Sequence, residues 1–304
     1  MVGTAEGAPV STSWLVTGGA GQLGTELRAA LAARTGDEVL APPRAGLDLS
    51  SEDSVRTAVR GWLAGARRAG RRPVLVNAGA WTAVDDAEAD EAAAAVVNGA
   101  APGWLADELA GHGRLLHVST DYVFAGTAGR PYREDDPTGP RTAYGRTKLA
   151  GERAVAAAGG DALVVRTAWV YAGHGRNFVR TMLRLAAGEG EVRVVDDQTG
   201  SPTWARDLAA GLVAAGSSPT RGVLHAVNAG ATTWCGLARR VFELAGADPS
   251  RVVPSTTAEV QRPAPRPAWS VLDGAAWAAA GLPGLPPWDD ALRRCLAGEV
   301  QPRA

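Results

Sequence analysis

The sequence predicts an α/β fold, a doubly wound parallel sheet with a smaller C-terminal α/β lobe. Three observations carry that prediction. Through the first half, short β-branched runs alternate with Ala-rich stretches of ten or more residues. A glycine-rich turn lies at the first strand–helix junction, and beyond about residue 170 the elements shorten while Pro and Trp become more frequent. Strands alternating with helices that long call for right-handed crossovers, and hence a parallel sheet.

Taken in order, WLVTGGAGQLGTELRAALAA reads as strand, glycine turn and helix. DEVLAPPR is a short strand stopped by prolines, and SSEDSVRTAVRGWLAGARRA is a helix capped by Ser50 or Ser51. RPVLVNAGA is a buried strand, DEAAAAVVNGAAPGWLADELAG a long helix interrupted near Asn98–Pro102, and RLLHVST a further strand. The chain is helical again from Thr142, and DALVVRTAWVY continues the sheet. NFVRTMLRLAAGEG is helical with Phe178, Met182 and Leu185 on one side, and VRVVDDQTGSPT is a strand ending in a turn. ARDLAAGLVAAG and CGLARRVFELAGA are helices flanking the strand GVLHAVNAG, and a Pro-rich stretch leads to a last helix near 288–297. The expected division is a dinucleotide-binding domain over 13–170 with a returning segment at about 203–230. Residues 171–202 and 231–304 form the substrate-binding lobe, and 1–12 a flexible N-terminal extension.

Charge nearly cancels, 31 basic against 32 acidic residues, which argues against nucleic-acid and membrane-surface partners. No apolar run approaches the roughly 18–20 residues that span a bilayer. The first dozen residues lack the basic start and apolar core of a signal peptide, so a cytoplasmic location is expected. Cys235 and Cys295 are expected to be free thiols in a reducing compartment, with no metal site. Lysine is almost absent: thirty of the 31 cations are arginine, and the one lysine is Lys148, in AYGRTKLAGE.

TGGAGQLG, Thr17 to Gly24, carries G-x-x-G-x-x-G spacing through Gly18, Gly21 and Gly24. Glycines there permit a tight turn and close approach of the backbone to a diphosphate, and the following helix N-terminus favours negative charge. That is the loop of a dinucleotide-binding Rossmann sheet, and Gln22 and Leu23 in its last turn are further candidate contacts. A site preferring NAD usually places an acidic residue after the second strand; this sequence has Arg44 there, which favours the 2′-phosphate of NADPH, with NADH possible. Asp48 and Leu49 follow where an adenine edge would rest. Ala78, Gly79, Ala80 and Thr82 close the third strand with small residues against which a cofactor can lie.

HVSTDYVF brings Thr120 and Asp121 to the carboxyl end of the fourth strand, where ligands bind in parallel sheets. Tyr144 and Lys148 are four apart on one helix, so they share a face. A phenol ionises near 10, and an ammonium one turn away, beside a positively charged nicotinamide, lowers that value. The expected chemistry is ketone reduction: Thr120 holds the carbonyl, Tyr144 supplies the proton and the cofactor the hydride.

These residues together resemble the extended short-chain dehydrogenases/reductases. The strings VNAGAWTAVDDAEAD, HVSTDYVFAGTAGRPYREDDPTGPRTAYGRTKLAGE, VVRTAWVYAGHGRNFVRTMLRLA, VVDDQTGSPTWARDLA and RPAPRPAWSVLD are similar to the dTDP-4-dehydrorhamnose reductase family, over about Trp14 to residue 297. The resemblance implies NADPH-dependent reduction of the 4-keto group of a dTDP-6-deoxyhexulose. It implies that Tyr144 is the proton donor and that Lys148 binds the nicotinamide ribose. Thr120, Asp121, Val84 and Trp169 would contact the sugar, with Asn177 and Arg266 in the lobe. Two positions depart from the family pattern. Trp81 stands where a histidine is usual, and Arg206 stands where a second carboxylate would join Glu26 in a magnesium-holding dimer contact. A cation cannot ligate magnesium, so no metal and a monomer or weak homodimer are expected. Two other classes remain open. One is an epimerase or dehydratase with tightly held NAD; the other is a non-catalytic regulatory subunit of the methionine adenosyltransferase type, which has no chemical need of Thr120, Tyr144 and Lys148.

Overall fold

A computed structural model describes residues 11–298. The expected extension at 1–12 therefore lies outside the described residues, save Ser11 and Thr12. Thr12 is no part of a tail: it opens strand β1 (Thr12–Thr17), and its backbone N–H donates to Asp37.

The elements that follow are α1 (Gln22–Ala32), β2 (Glu38–Leu40), α2 (Glu52–Arg68) and β3 (Arg72–Asn77). Next come α3 (Val84–Ala89), α4 (Glu91–Ala95), a π-helical turn (Val96–Ala100), α5 (Ala101–Leu109) and β4 (Arg114–Thr120). Then come α6 (Ala143–Ala157) and β5 (Asp161–Thr167). Ser51 caps α2 by accepting from Ser54 N, whereas Ser50 turns to Asp48. The interruption expected near Asn98–Pro102 is the π turn, so the helix widens there and does not stop.

The strand predicted over DALVVRTAWVY breaks at Trp169, a non-glycine residue at φ 47°. β6 (Val170–Tyr171) leaves the sheet and pairs with β9 (Thr203–Trp204), beyond α7 (Phe178–Ala186), β7 (Val192–Val195) and β8 (Thr199–Gly200). The chain then re-enters the first layer through α8 (Ala205–Ser217) and β10 (Gly222–His225). Last come β11 (Thr232–Thr233), α9 (Trp234–Leu244), β12 (Val252–Ser255), α10 (Ala275–Ala279) and α11 (Trp288–Ala297).

The main sheet is six-stranded and parallel, in the order β10-β5-β4-β3-β1-β2. Its faces divide the strand residues by parity. Trp14 and Val16 pack with Leu27, Leu31, Leu208 and Leu212 of α1 and α8. Leu15 and Leu75 pack the opposite way, with Val55, Val59, Trp62, Leu105 and Leu109 of α2 and α5. A separate apolar core joins α7, α9, α11, β7 and β12 around Met182, Phe242 and Leu292. Trp277 and Leu282, expected in the lobe, pack instead into the sheet core against α8. Strand order reverses between β1 and β3, and ligands of open α/β sheets bind at the carboxyl ends of such a pair. No described helix is long and apolar enough to cross a membrane.

Candidate active site

The loop between β1 and α1 is built by glycines that nothing else can replace. Gly18 sits at φ 66°, and a Cβ there would lie 2.7 Å from Gly79. A Cβ on Gly24 would lie 2.1 Å from the Gly18 carbonyl oxygen, so α1 approaches the loop only because position 24 is bare. Gly21 is the N-cap of α1 with no side-chain cap, which leaves the first helical N–H groups directed at the crevice.

Two adjoining cavities meet on this loop. One, of about 530 Å³, is lined by Gly18, Gly21, Gly79 and Ala80 together with Arg44, Asp48 and Leu49. The guanidinium of Arg44 is anchored on its lip, donating to Asp48 at 3.1 Å and to Ser50 at 3.2 Å. Those contacts leave the side chain mostly exposed and free to meet an anion. Trp81 borders this cavity as well, its backbone pinned in both directions by Asn98 of the π turn. Asn98 also donates to Thr147 of α6, so the widened turn clamps two sides of the crevice at once.

The second cavity, of about 500 Å³, brings together Gly18, Gly21, Gln22, Leu23, Gly24, Ala78, Gly79, Ala80, Thr82 and Val84 with Thr120, Asp121, Tyr144, Lys148 and Trp169. Elements distant in sequence thus place nearly all the expected contacts on one surface. At its floor the Thr120 hydroxyl donates to Asp121 at 2.9 Å. The second carboxylate oxygen of Asp121 is buried without a hydrogen-bond partner, and burial pushes this acid up to about 6. Burial holds the Tyr144 phenol up at about 12; the Thr120 hydroxyl beside it acts the other way, and the charge of Asp121 adds to the rise. Lys148 is brought down to about 8 by burial, opposed by Glu152. Its amine donates to the Val118 carbonyl at 2.7 Å. The amine is turned to the sheet in this structure, and the groups that set the phenol are burial, Thr120 and Asp121.

Two lobe residues separate. Arg266 reaches the site region: it pairs with Asp85 at 2.7 Å and lines a third cavity of about 830 Å³ with Tyr122, Phe178, Gln198 and Trp234. Asn177 does not reach it as a free amide. Its Oδ1 caps α7, and its Nδ2 donates to Gln22, Ala172 and His174, so it fastens the lobe to the phosphate loop.

Tyr122, which the sequence placed at the end of the fourth strand without a role of its own, and Trp234, which it missed, line both the second and the third cavity. Trp234 stacks on Trp169 with ring centroids 3.6 Å apart and planes within 7°. The signal for Tyr122 was available, since it lies inside the STDYVF string. Nothing local marked Trp234 among ten tryptophans. At the other departure, Arg206 donates to Glu26 at 3.0 Å, and His174 lies 3.1 Å from the same carboxylate.

The family model for the RmlD substrate binding domain matches residues 12–300. A dTDP-4-dehydrorhamnose reductase of Streptomyces griseus is 52% identical over 288 residues, covering 92% of this chain and 91% of that protein. The chain belongs to the dTDP-4-dehydrorhamnose reductase family. A family member from Streptomyces antibioticus, described as a probable dTDP-4,6-dihydroxy-2-methyloxan-3-one 4-ketoreductase, is 50% identical over 297 residues, covering 95% of this chain and 97% of that protein. Among solved structures, the reductase of Bacillus anthracis in complex with NADP superimposes with a TM-score of 0.88 at 29% identity, over 95% of this chain and all of that one. A UDP-glucose 4-epimerase of Thermus thermophilus, at 21% identity, shares the fold. Family membership makes the protein an oxidoreductase.

Proposed function

We propose that the protein reduces the 4-keto group of a dTDP-4-dehydro-6-deoxyhexose with NADPH, dTDP-4-dehydro-L-rhamnose being the foremost substrate or else a related deoxysugar of a secondary-metabolite pathway. The observation that carries this reading is the convergence of Thr120, Asp121, Tyr144 and Lys148 at the floor of a cavity continuous with the glycine loop, in a chain of this family.

The loop fits a dinucleotide: Gly18 and Gly24 let it fold tightly against the backbone of Gly79 and Gly18, and the uncapped α1 N-terminus beside it suits a diphosphate. Arg44, beside Asp48 and Leu49, suits a 2′-phosphate by its exposed, planar, permanently charged fork. When bound, the nicotinamide supplies the hydride. Tyr144 keeps its proton at neutral pH because its pKa is near 12, and so acts as the acid once charge develops on the carbonyl oxygen. Thr120, fixed by Asp121, orients that oxygen. Trp169 and Trp234 present a rigid aromatic wall to the sugar, and the third cavity, with Arg266 at its edge, suits the dTDP moiety. The pairing of Arg206 with Glu26 supports a monomer or weak dimer that needs no bridging metal.

The test is turnover of a dTDP-4-keto-6-deoxyhexose, with and without prior 3,5-epimerisation, the product resolved by NMR. Tyr144→Phe is expected to lower kcat by about a hundredfold or more while leaving NADPH affinity intact. Wild-type turnover in that variant would refute the assignment. Nicotinamide retained through purification would point instead to the epimerase or dehydratase class.

A further inference from the structure

A row of polar side chains crosses the carboxyl edge of the sheet beneath the crevice. Gly79 N–H donates to Thr17 Oγ1 at 3.1 Å, and the Thr17 hydroxyl donates to Asn77 Oδ1 at 2.6 Å. Asn77 Nδ2 lies 3.0 Å from His117 Nδ1, and His117 Nε2 lies 3.5 Å from Lys148 Nζ. Thr17, Asn77, His117 and Lys148 are each at most 2% exposed, so these partners are not exchanged for solvent.

Counting hydrogens gives the row a direction. A backbone N–H can only donate, which leaves the Thr17 hydroxyl proton for the amide oxygen of Asn77. The amide nitrogen must then donate to His117 Nδ1, and a neutral ring whose Nδ1 accepts carries its proton on Nε2. That N–H faces the lysine amine. Two donors facing each other stand apart, consistent with 3.5 Å to the ring against 2.7 Å to the Val118 carbonyl.

We propose that Thr17, Asn77 and His117 form the seat of Lys148, with His117 held as the Nε2–H tautomer and acting as the positioning residue that confines the amine to the Val118 carbonyl and the crevice. This rests on the reading of Lys148 as the residue that meets the cofactor. A donor opposite the amine disfavours ammonium, in the same direction as the burial that lowers Lys148. His117 stays neutral, held well below its ordinary value by burial and by the lysine charge. Around Lys148, α6 itself contributes Tyr144 and Glu152, the latter paired with Arg166 of β5. The turn after β4 contributes Asp121 and Tyr122, and Glu88 and Glu91 of α3 and α4 are bonded at the start of α6 to Ala143 N and Arg146.

The chain makes the test direct, because it holds one lysine and four histidines. Lysine labelled with 13C at Cε gives a single titrating signal, and 15N-histidine reports which ring nitrogen carries the proton. In the wild type, His117 is expected to be Nε2–H at neutral pH, with the lysine titrating near 8. Asn77→Leu removes the donor to Nδ1 and frees Nε2 to accept from the ammonium. The lysine titration should rise by about one pH unit, a tenfold gain in proton affinity. An Nδ1–H ring in the wild type overturns the proposal even where the variant fails to fold, and so does an unmoved lysine titration in folded Asn77→Leu. Neither readout uses substrate or cofactor. A protein inactive on the sugar would leave this result readable, and an Nδ1–H ring would leave the proposed reduction untouched.

Discussion

Replacing Asp121 by asparagine separates what this acid does for the site from what it costs the fold. Asp121 is 4% exposed, one of its oxygens accepts from Thr120, and the other is buried without a hydrogen-bond partner. Burial raises its pKa from the ordinary 3.8 to about 6, against the lowering effect of its hydrogen bonds. The native protein therefore binds a proton that the unfolded chain releases between pH 4 and 6. Stability is fully present below that window and is lost as pH rises through it. At about 1.4 kcal/mol per pKa unit, the difference between 6 and 3.8 amounts to ~3 kcal/mol. Asp121→Asn keeps the acceptor for Thr120 and removes the charge. Urea unfolding from pH 4 to 8 should show the variant more stable by ~3 kcal/mol above pH 6, with the gap closing towards pH 4. A gap independent of pH, or a variant less stable at pH 7.5, would refute the assignment of that cost to a buried charge.

Arg44→Ala should weaken NADPH binding by about 10–100-fold and NADH binding little, the worth of one charged hydrogen-bonded contact, measured by fluorescence titration of both cofactors. Equal losses would remove Arg44 from the 2′-phosphate. Gly24→Ala forces a Cβ to within 2.1 Å of the Gly18 carbonyl and should lower stability by about 1–3 kcal/mol while abolishing cofactor binding. Thermal unfolding with and without NADPH reads both effects. Trp234→Ala removes the stacking partner of Trp169 and should raise KM for the sugar nucleotide by about fivefold or more at unchanged cofactor affinity, as expected for loss of an aromatic pair. An unchanged KM would place the pair outside the substrate path.

Much of the first layer was legible because its signals are local. The glycine spacing, the β-branched runs and the Tyr144–Lys148 interval each sit within a few residues, and backbone geometry translates them directly into a turn, a buried strand and a shared helix face. What escaped depends on contacts between distant segments. The break at Trp169 is set by its stacking on Trp234, 65 positions on, and by Gly200, where a Cβ would lie 2.3 Å from the indole. Asn177 looked like a ligand for the sugar, yet its amide is used by Gln22, Ala172 and His174 in a contact no single segment announces. Lys148 was read from helix spacing as tuning the phenol and from the family resemblance as meeting the nicotinamide ribose; the bond of its amine to the Val118 carbonyl is one that no local spacing announces.

The return of the chain through α8 and β10 has a consequence for synthesis. β5 is complete at Thr167, but the strand that covers its outer edge ends at His225. At roughly 5–20 residues per second on the ribosome, that edge stays unpaired for about 3–12 seconds. α1 likewise waits for α8 to cover its apolar face. Release of a chain ending before residue 205 would leave an open parallel edge and an uncovered helix face together, a combination that invites pairing between copies. The nascent protein is thus most open to pairing between copies while the residues between Thr167 and His225 are being made.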